Sequence, residues 1–362
     1  MATQRLGEGA SVLVRTSGAT AALVAALAVL AAVTAVAAQA PIPPPPIPAR
    51  LSPEVERHIA AAKAAAGVEH AGLFTAVCDT ARSVIAQAAA PARAGGAGRG
   101  ARAGGPPPPP PRESWHADPV KVFDNLYFVG QTEFSAWAIT TSQGIILLDA
   151  IFDYSVEDEV VGGLRTLGLD PAQIQYVVVS HGHLDHAGGA KLLQERFGSR
   201  LVMSAADYDL MDAQNPSWKP KRDIVATDGY QLTLGDTTLT LHLTPGHTEG
   251  TISTIFPVRD GGQRHVVAAW GGTLFNFGPI RERLVAYGQS AERFRGIAAK
   301  AGAEVILSNH TVYDGSKTKL PAMATRRPGQ AHPYVVGKDV VARYLTVVGE
   351  CSQAAVAGLP AR

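Results

Sequence analysis

The chain has 362 residues, 46% of them hydrophobic, with a formal net charge of +1. That length allows two average domains or one large one, and the charge excludes bulk attraction to nucleic acid or to an anionic membrane surface. Alanine, glycine and proline crowd the first 112 residues while aromatic and charged residues concentrate after them, so the core is expected mostly beyond Arg112.

Arg5 and Arg15 precede an uncharged run, Ala21 to Ala40, made almost wholly of Ala, Val and Leu. This is the layout of a secretory signal peptide, and Ala38-Gln39-Ala40 supplies the small residues of a cleavage site. Residues 1–40 are therefore expected to be removed and the remainder to be periplasmic or secreted, with no stable membrane insertion after cleavage. The alternative is an uncleaved anchor, since the run is just long enough to span a bilayer.

Pro41 to Pro48 reads as a stiff spacer. Ser52-Pro53-Glu54 offers an N-cap, a proline at the first helical position and an early acid, so a helix is predicted to Ala66, stopped by Gly67. A second helix is predicted over Leu73–Ala88, making residues 41–90 a spacer with a helical extension. Residues 91–112 hold Ala, Gly, Arg and a run of six prolines, Pro106 to Pro111, too few large apolar side chains to bury, and read as a linker. The folded domain then occupies residues 113–362.

Only two cysteines occur, Cys78 and Cys351, and neither has a partner at zinc-finger spacing. In an exported protein they are expected to form a disulfide tying the N-terminal extension to the C-terminal helix, the alternative being two small buried thiols.

Short strands are predicted at Val120–Phe123, Leu126–Val129, Ser135–Thr140 and Ile145–Leu148, a meander ending at Asp149. A helix over Val156–Leu167 leads to the apolar strand Ile174–Val179, whose run of valines suits a strand covered on both faces. Another helix is predicted over Ala187–Phe197, then the strand Leu201–Ser204, the helix Ala205–Ala213 and an exposed loop over Gln214–Thr227. A second group of strands follows at Tyr230–Leu234, Thr237–Leu243, Thr251–Phe256 and His265–Trp270. Ser290–Ala301 reads as a helix and Glu304–Leu307 as a last strand. Pro333–Val356 has the three- and four-residue apolar spacing of a long amphipathic helix. In outline the domain repeats itself, strands then helices, twice.

The chemistry centres on Ser180-His181-Gly182-His183-Leu184-Asp185-His186, directly after the Ile174–Val179 strand. His181 and His183 lie two apart and can point the same way from an extended turn, while Asp185 and His186 fall on the helical turn beyond. Two neighbouring metal subsites follow, each needing about three protein ligands. His247, after Thr244-Pro245-Gly246, and His310, after Ser308-Asn309, sit at similar strand ends and complete six. His58, His70, His116, His242, His265 and His332 lack such settings and read as structural or solvent-exposed.

The His-x-His-x-Asp-His signature, the later Pro-Gly-His and the strand-end histidine resemble the metallo-β-lactamase superfamily, over about Trp115 to Cys351. The details around Trp115–Gly130, His181–Gly188 and Pro245–Thr248 look most like the third subclass of metallo-β-lactamases and its relatives. The resemblance implies an α/β fold, a four-layered αβ/βα sandwich, here with an N-terminal helical extension, and two zinc ions at one edge of the sheets. It implies that His181, His183 and His247 hold the first zinc, and Asp185, His186 and His310 the second. Asp149 would support the metal loop from behind.

Gly271-Gly272-Thr273 stands where glyoxalase-, lactonase- and ribonuclease-type members carry Gly-Asp-Thr, so the carboxylate that bridges their two zincs is missing. By the resemblance Thr273, Phe275 and Asn276 would border the substrate pocket, although Phe275 and Asn276 replace the residues that fix the substrate carboxylate in lactamases; Lys317 and Arg281 are candidates for the missing cation. The expected activity is an exported dinuclear zinc hydrolase that opens a cyclic amide, a β-lactam, by attack of a zinc-bound hydroxide, with Asp185 orienting it. The alternative is a lactone, thioester or other ester hydrolase of the same superfamily. The partner is a small-molecule substrate.

Overall fold

The computed structural model describes residues 51–90, 108–327 and 329–361. The expected signal peptide, its cleavage site, the proline spacer and most of the 91–112 linker lie outside the described residues. The described residues form one compact unit.

Two sheets carry the domain. The first runs in chain order through β1 (Val120–Phe123), β2 (Leu126–Phe128), β3 (Trp137–Thr141), β4 (Gly144–Leu148), β5 (Ile174–Val178), β6 (Arg200–Ser204) and β7 (Ile224–Ala226). It is antiparallel as far as β4 and parallel from there to β7. The second comprises β8 (Tyr230–Leu234), β9 (Thr237–Leu243), β10 (Ile252–Asp260), β11 (Gln263–Trp270) and β12 (Val305–Ser308), in the order β12-β11-β10-β9-β8. Only β12 joins it in parallel. Parallel pairing demands a crossover, and helices supply it.

The described helices are α1 (Pro53–Ala66), α2 (Ala71–Ala89), α3 (Gly163–Thr166, continuing a π-wound turn, Glu157–Gly162), α4 (Leu184–Ala187), α5 (Ala190–Phe197), α6 (Ala205–Gln214), α7 (Arg281–Ala301), α8 (Ser316–Thr325) and α9 (Lys338–Ala357), of which α3 to α7 make the crossovers. Period-two burial gives each sheet two apolar faces. Phe128, Trp137, Ile146, Leu239, Phe256 and Leu307 fill the space between the sheets. Leu147, Val177 and Leu201 turn outward against Val160, Leu164, Leu193 and Tyr208. On the other side Ala268, Trp270 and Ile306 meet Phe294, Tyr344 and Val348. The result is four layers, helices, sheet, sheet and helices, as the resemblance implied.

The core is not confined to the chain beyond Arg112. Ala62, Leu73, Val77, Cys78 and Ala81 of α1 and α2 join the same apolar cluster as α7 and α9. Their alanines are what allow the close approach. Ser52 caps α1 as expected, its hydroxyl accepting from the Val55 amide. Cys78 and Cys351 are disulfide-bonded, joining α2 to α9.

Several boundaries differ from expectation for local reasons. The helix predicted after the histidine motif is interrupted at Gly188-Gly189, giving α4 and α5. The last helix starts at Lys338 because the amides of Val336 and Gly337 donate instead to the Glu304 carbonyl, beside β12. The α7 helix begins nine residues earlier than predicted, at Arg281 rather than Ser290. Among the described residues no helix is long and apolar enough to cross a membrane.

Candidate metal centre

The strands deliver the polar residues to one edge. β4 ends at Asp149, β5 at the His181–His186 loop, β9 at His247 and β12 at His310. The two sheets are stitched together there. The Ile252 amide donates to the Ser180 carbonyl at 2.8 Å, and the Ser135 amide to the Asn309 carbonyl at 2.9 Å.

Three imidazoles meet at one point. His247 Nε2 lies 3.0 Å from His181 Nε2 and 3.1 Å from His183 Nδ1. His181 Nδ1 donates to the Gly271 carbonyl at 2.9 Å, and His247 Nδ1 donates to the Leu274 carbonyl. Those bonds fix the tautomers and leave both Nε2 atoms as bare lone pairs aimed at each other. Converging lone pairs repel unless a cation sits among them, and tetrahedral zinc with bonds of about 2.0–2.1 Å sets its ligand nitrogens roughly 3.3 Å apart. The donor set therefore fits a zinc ion.

The second group is His181, Asp185 and His186, whose ligand atoms also lie within 4.8 Å of one another. His186 Nδ1 donates to Asp149 Oδ2 at 3.0 Å, which turns its Nε2 into the cleft. That buried Nε2 makes no hydrogen bond among the described residues, although Asp185 Oδ2 is 3.1 Å away. Two ligands of one ion would be so placed. His310 faces them, its Nε2 3.7 Å from Asp185 Oδ2 and its ring 5.1 Å from that of His186.

Asp149 works from behind. It accepts from the Ser180 amide at 2.7 Å and the Ser180 hydroxyl at 2.9 Å as well as from His186. Its φ of 59° is left-handed, a conformation that costs a non-glycine residue about 1–2 kcal/mol. The strain aims its carboxylate back at the metal loop.

Electrostatics divide the cleft. Burial pushes His247 and His310 down to about 3 and also lowers His181 and His183, so these rings are neutral at pH 7. For His186 burial acts downward too, but the Asp185 and Asp149 carboxylates outweigh it and raise the ring to about 10 without metal. For Asp185 burial acts upward, yet the His186 and His310 rings beside it hold the carboxyl well below the usual carboxylate range.

The expected pocket border is corrected. Thr273 is buried, its hydroxyl 3.0 Å from that of Ser308, and Phe275 is fully buried edge-on to Tyr287 in the helical core. Neither faces the cleft; of the three only Asn276 is exposed. Gly272 also explains the missing bridging carboxylate, because a Cβ there would stand 2.6 Å from His247 Cβ. Lys317 is engaged with Glu133, and Arg281 donates to the carbonyls of Val356, Leu359 and Pro360 at the end of α9.

The cation beside the triad is Arg283, which sequence reasoning missed. Its guanidinium donates to the carbonyls of Gly246 and His247 and lies 3.9 Å over the Phe277 ring. Asn309 was also missed: its amide donates to the Gly271 carbonyl at 2.7 Å, sharing the acceptor that orients His181. The outlying histidines have other partners: His58 pairs with Glu350, His116 with Glu159, His265 with Glu304, and His70 and His332 bond to carbonyls.

Residues 134–260, which contain five of the six clustered side chains, match the family model of the metallo-beta-lactamase superfamily. That segment, with the metal loop in it, is similar to the metallo-β-lactamase superfamily. Among solved structures the chain is similar to a subclass B3 metallo-beta-lactamase of Bradyrhizobium japonicum, with 25% identity, a TM-score of 0.55, and 63% of this chain and 89% of that one covered. A metallo-beta-lactamase of Cronobacter sakazakii gives 26% identity and the same TM-score over 64% and 92%. Among curated proteins it is 32% identical to a hydroxyacylglutathione hydrolase of Acidiphilium cryptum over 29% of this chain and 37% of the other. It is likewise 32% identical to an N-acyl homoserine lactonase of a Bacillus species over 26% and 37%. The chain thus spans little more than a third of the length of either curated relative.

Proposed function

We propose that the protein is an exported, zinc-dependent hydrolase that opens a cyclic amide, with β-lactams as the nearest substrate class. The observation that carries the reading is the convergence of His181 and His183 nitrogens to within 3.1 Å of His247 Nε2, beside a second group built on Asp185 and His186. Zinc held by His181, His183 and His247, with a second ion at Asp185, His186 and His310, would lower the pKa of water to about 7 and polarise a substrate carbonyl. The chain's own residues do the rest. Asp185, with a quarter of its side chain exposed to the cleft, accepts a hydrogen bond from the attacking water and aims it. Gly271 and Leu274 carbonyls keep the ligand rings in one tautomer, and Arg283 places a positive charge at the rim near His183. Phe134, packed on the His310 ring at 4.9 Å, excludes water from the opposite wall.

The choice of amide over ester is supported by Gly272, whose position leaves no room for a carboxylate bridging two ions, and by the near-complete coverage of the Bradyrhizobium japonicum and Cronobacter sakazakii metallo-beta-lactamase structures. The second reading, a lactone or thioester hydrolase, is favoured by the hydroxyacylglutathione hydrolase and lactonase among the sequence relatives. The test is to express residues 41–362, measure bound zinc, and assay a chromogenic cephalosporin beside a lactone and a thioester. Chelator-sensitive cephalosporin turnover supports the first reading. Zinc binding with activity on the esters alone replaces it with the second.

A further inference from the structure

The α6 helix lies beside the cleft without contributing a metal ligand, yet its third residue is a buried carboxylate. Asp207 is 1% exposed. Its Oδ2 accepts from the Gly182 amide at 3.2 Å and from the Thr248 hydroxyl at 2.9 Å. Gly182 stands between His181 and His183, and Thr248 follows His247. One oxygen atom therefore touches the chain next to all three histidines of the triad, though these come from loops 64 residues or more apart.

Both loops are pressed onto the start of the helix. A Cβ on Gly182 would sit 3.0 Å from the Asp207 carbonyl oxygen, and one on Gly250 would sit 2.8 Å from the Asp207 amide. That amide donates to the Ser204 hydroxyl, the N-cap, at 3.2 Å, so the carboxylate is fixed to a rigid helix end. Thr248 is held in turn by Thr251, hydroxyl to hydroxyl at 2.7 Å. The other carboxylate oxygen, Oδ1, is buried and makes no hydrogen bond among the described residues. Burial pushes the carboxyl up to about 6 against the donors that favour its charged form. A buried acid is a costly way merely to fill space.

We infer that Asp207 is a positioning residue for the three-histidine site, clamping the His181–His183 loop to the His247 loop so that the three nitrogens stay at metal-binding separation. The inference rests on the zinc reading above. It predicts an effect on the triad and not on the Asp185–His186–His310 group, whose own supports are Asp149 and, below His310, the buried Asp314, which accepts from the Ser308 amide at 2.8 Å.

The two sites can be separated by removing a ligand from one. In a His310→Ala background the triad alone is titrated with zinc against a competing chelator, and in a His247→Ala background the other group alone. Asp207→Ala is expected to weaken zinc at the triad about tenfold or more while the other group changes less than twofold. Asp207→Asn keeps an acceptor for both donors and is expected to restore near-wild-type affinity. Thr248→Val removes one of the two links and decides the matter if Asp207→Ala does not fold, with an expected loss of about threefold at the triad. Unchanged triad affinity in Asp207→Ala or Thr248→Val overturns the inference, as does equal weakening of both sites together with a lowered Tm. A wild-type protein that takes up no zinc sinks the metal reading and the inference together, whereas uptake with indifferent variants sinks the inference alone.

Discussion

The two halves of the cleft are built on opposite electrostatic plans. On the triad side the supporting acceptors are neutral, the carbonyls of Gly271 and Leu274, and burial keeps His181, His183 and His247 uncharged. On the other side the support is an anion, Asp149, and a second anion, Asp185, shares the space, so His186 holds a proton when no metal is there. The first half is ready for a cation before one arrives. The second would have to exchange a proton for one. The difference teaches that two adjacent sites made of the same residue types can differ in when they fill, simply through what stands behind each ring.

Chelation should have the largest effect, reducing hydrolysis to that of an enzyme-free control, and stepwise zinc return followed by turnover shows which half activates the protein. Asp185→Asn is next. It keeps the shape but loses the anion, and a fall in kcat of about 10³-fold is expected, with at least one zinc retained. Asp149→Ala strips His186 and Ser180 of their acceptor and should weaken zinc at the Asp185–His186–His310 group by about 10- to 100-fold, with a smaller loss at the triad. The smallest effect is the most diagnostic. A metal entering the second half would displace the His186 proton, held by Asp185 and Asp149 with His181 and His310 close by, so affinity there should rise up to about tenfold per pH unit between pH 6 and 8. Triad affinity should stay nearly flat over that range, and two equal slopes in zinc titrations would erase the contrast.

Local signals were legible in the sequence. The capping of α1 by Ser52, the valine-rich β5 and the ligand spacing from His181 to His186 are all written within a few residues of where they act. His247 and His310 could be placed because strand ends and Pro-Gly turns are local too. What was illegible depends on contacts made across the fold. Arg283, Asn309 and Asp207 reach the cleft only because helices and loops distant in sequence pack there. Phe275 was misread for the same reason: being next to a metal loop says nothing about which side of the loop a ring faces, and Tyr287 decides that. The α8 helix escaped notice because Pro321 lies inside it, and its apolar positions are too few to show a period. The helical extension looked peripheral because alanine-rich helices bury little area each, yet α1 and α2 complete the outer layer with α9.

The bond between Cys78 and Cys351 turns the backbone between them into a closed ring that includes both sheets and every side chain of the cleft. A single proteolytic cut anywhere within that ring leaves one covalent molecule, and the pieces part only when the sulfurs are reduced. Nicked protein should therefore run as one species on a non-reducing gel and as two after a thiol is added.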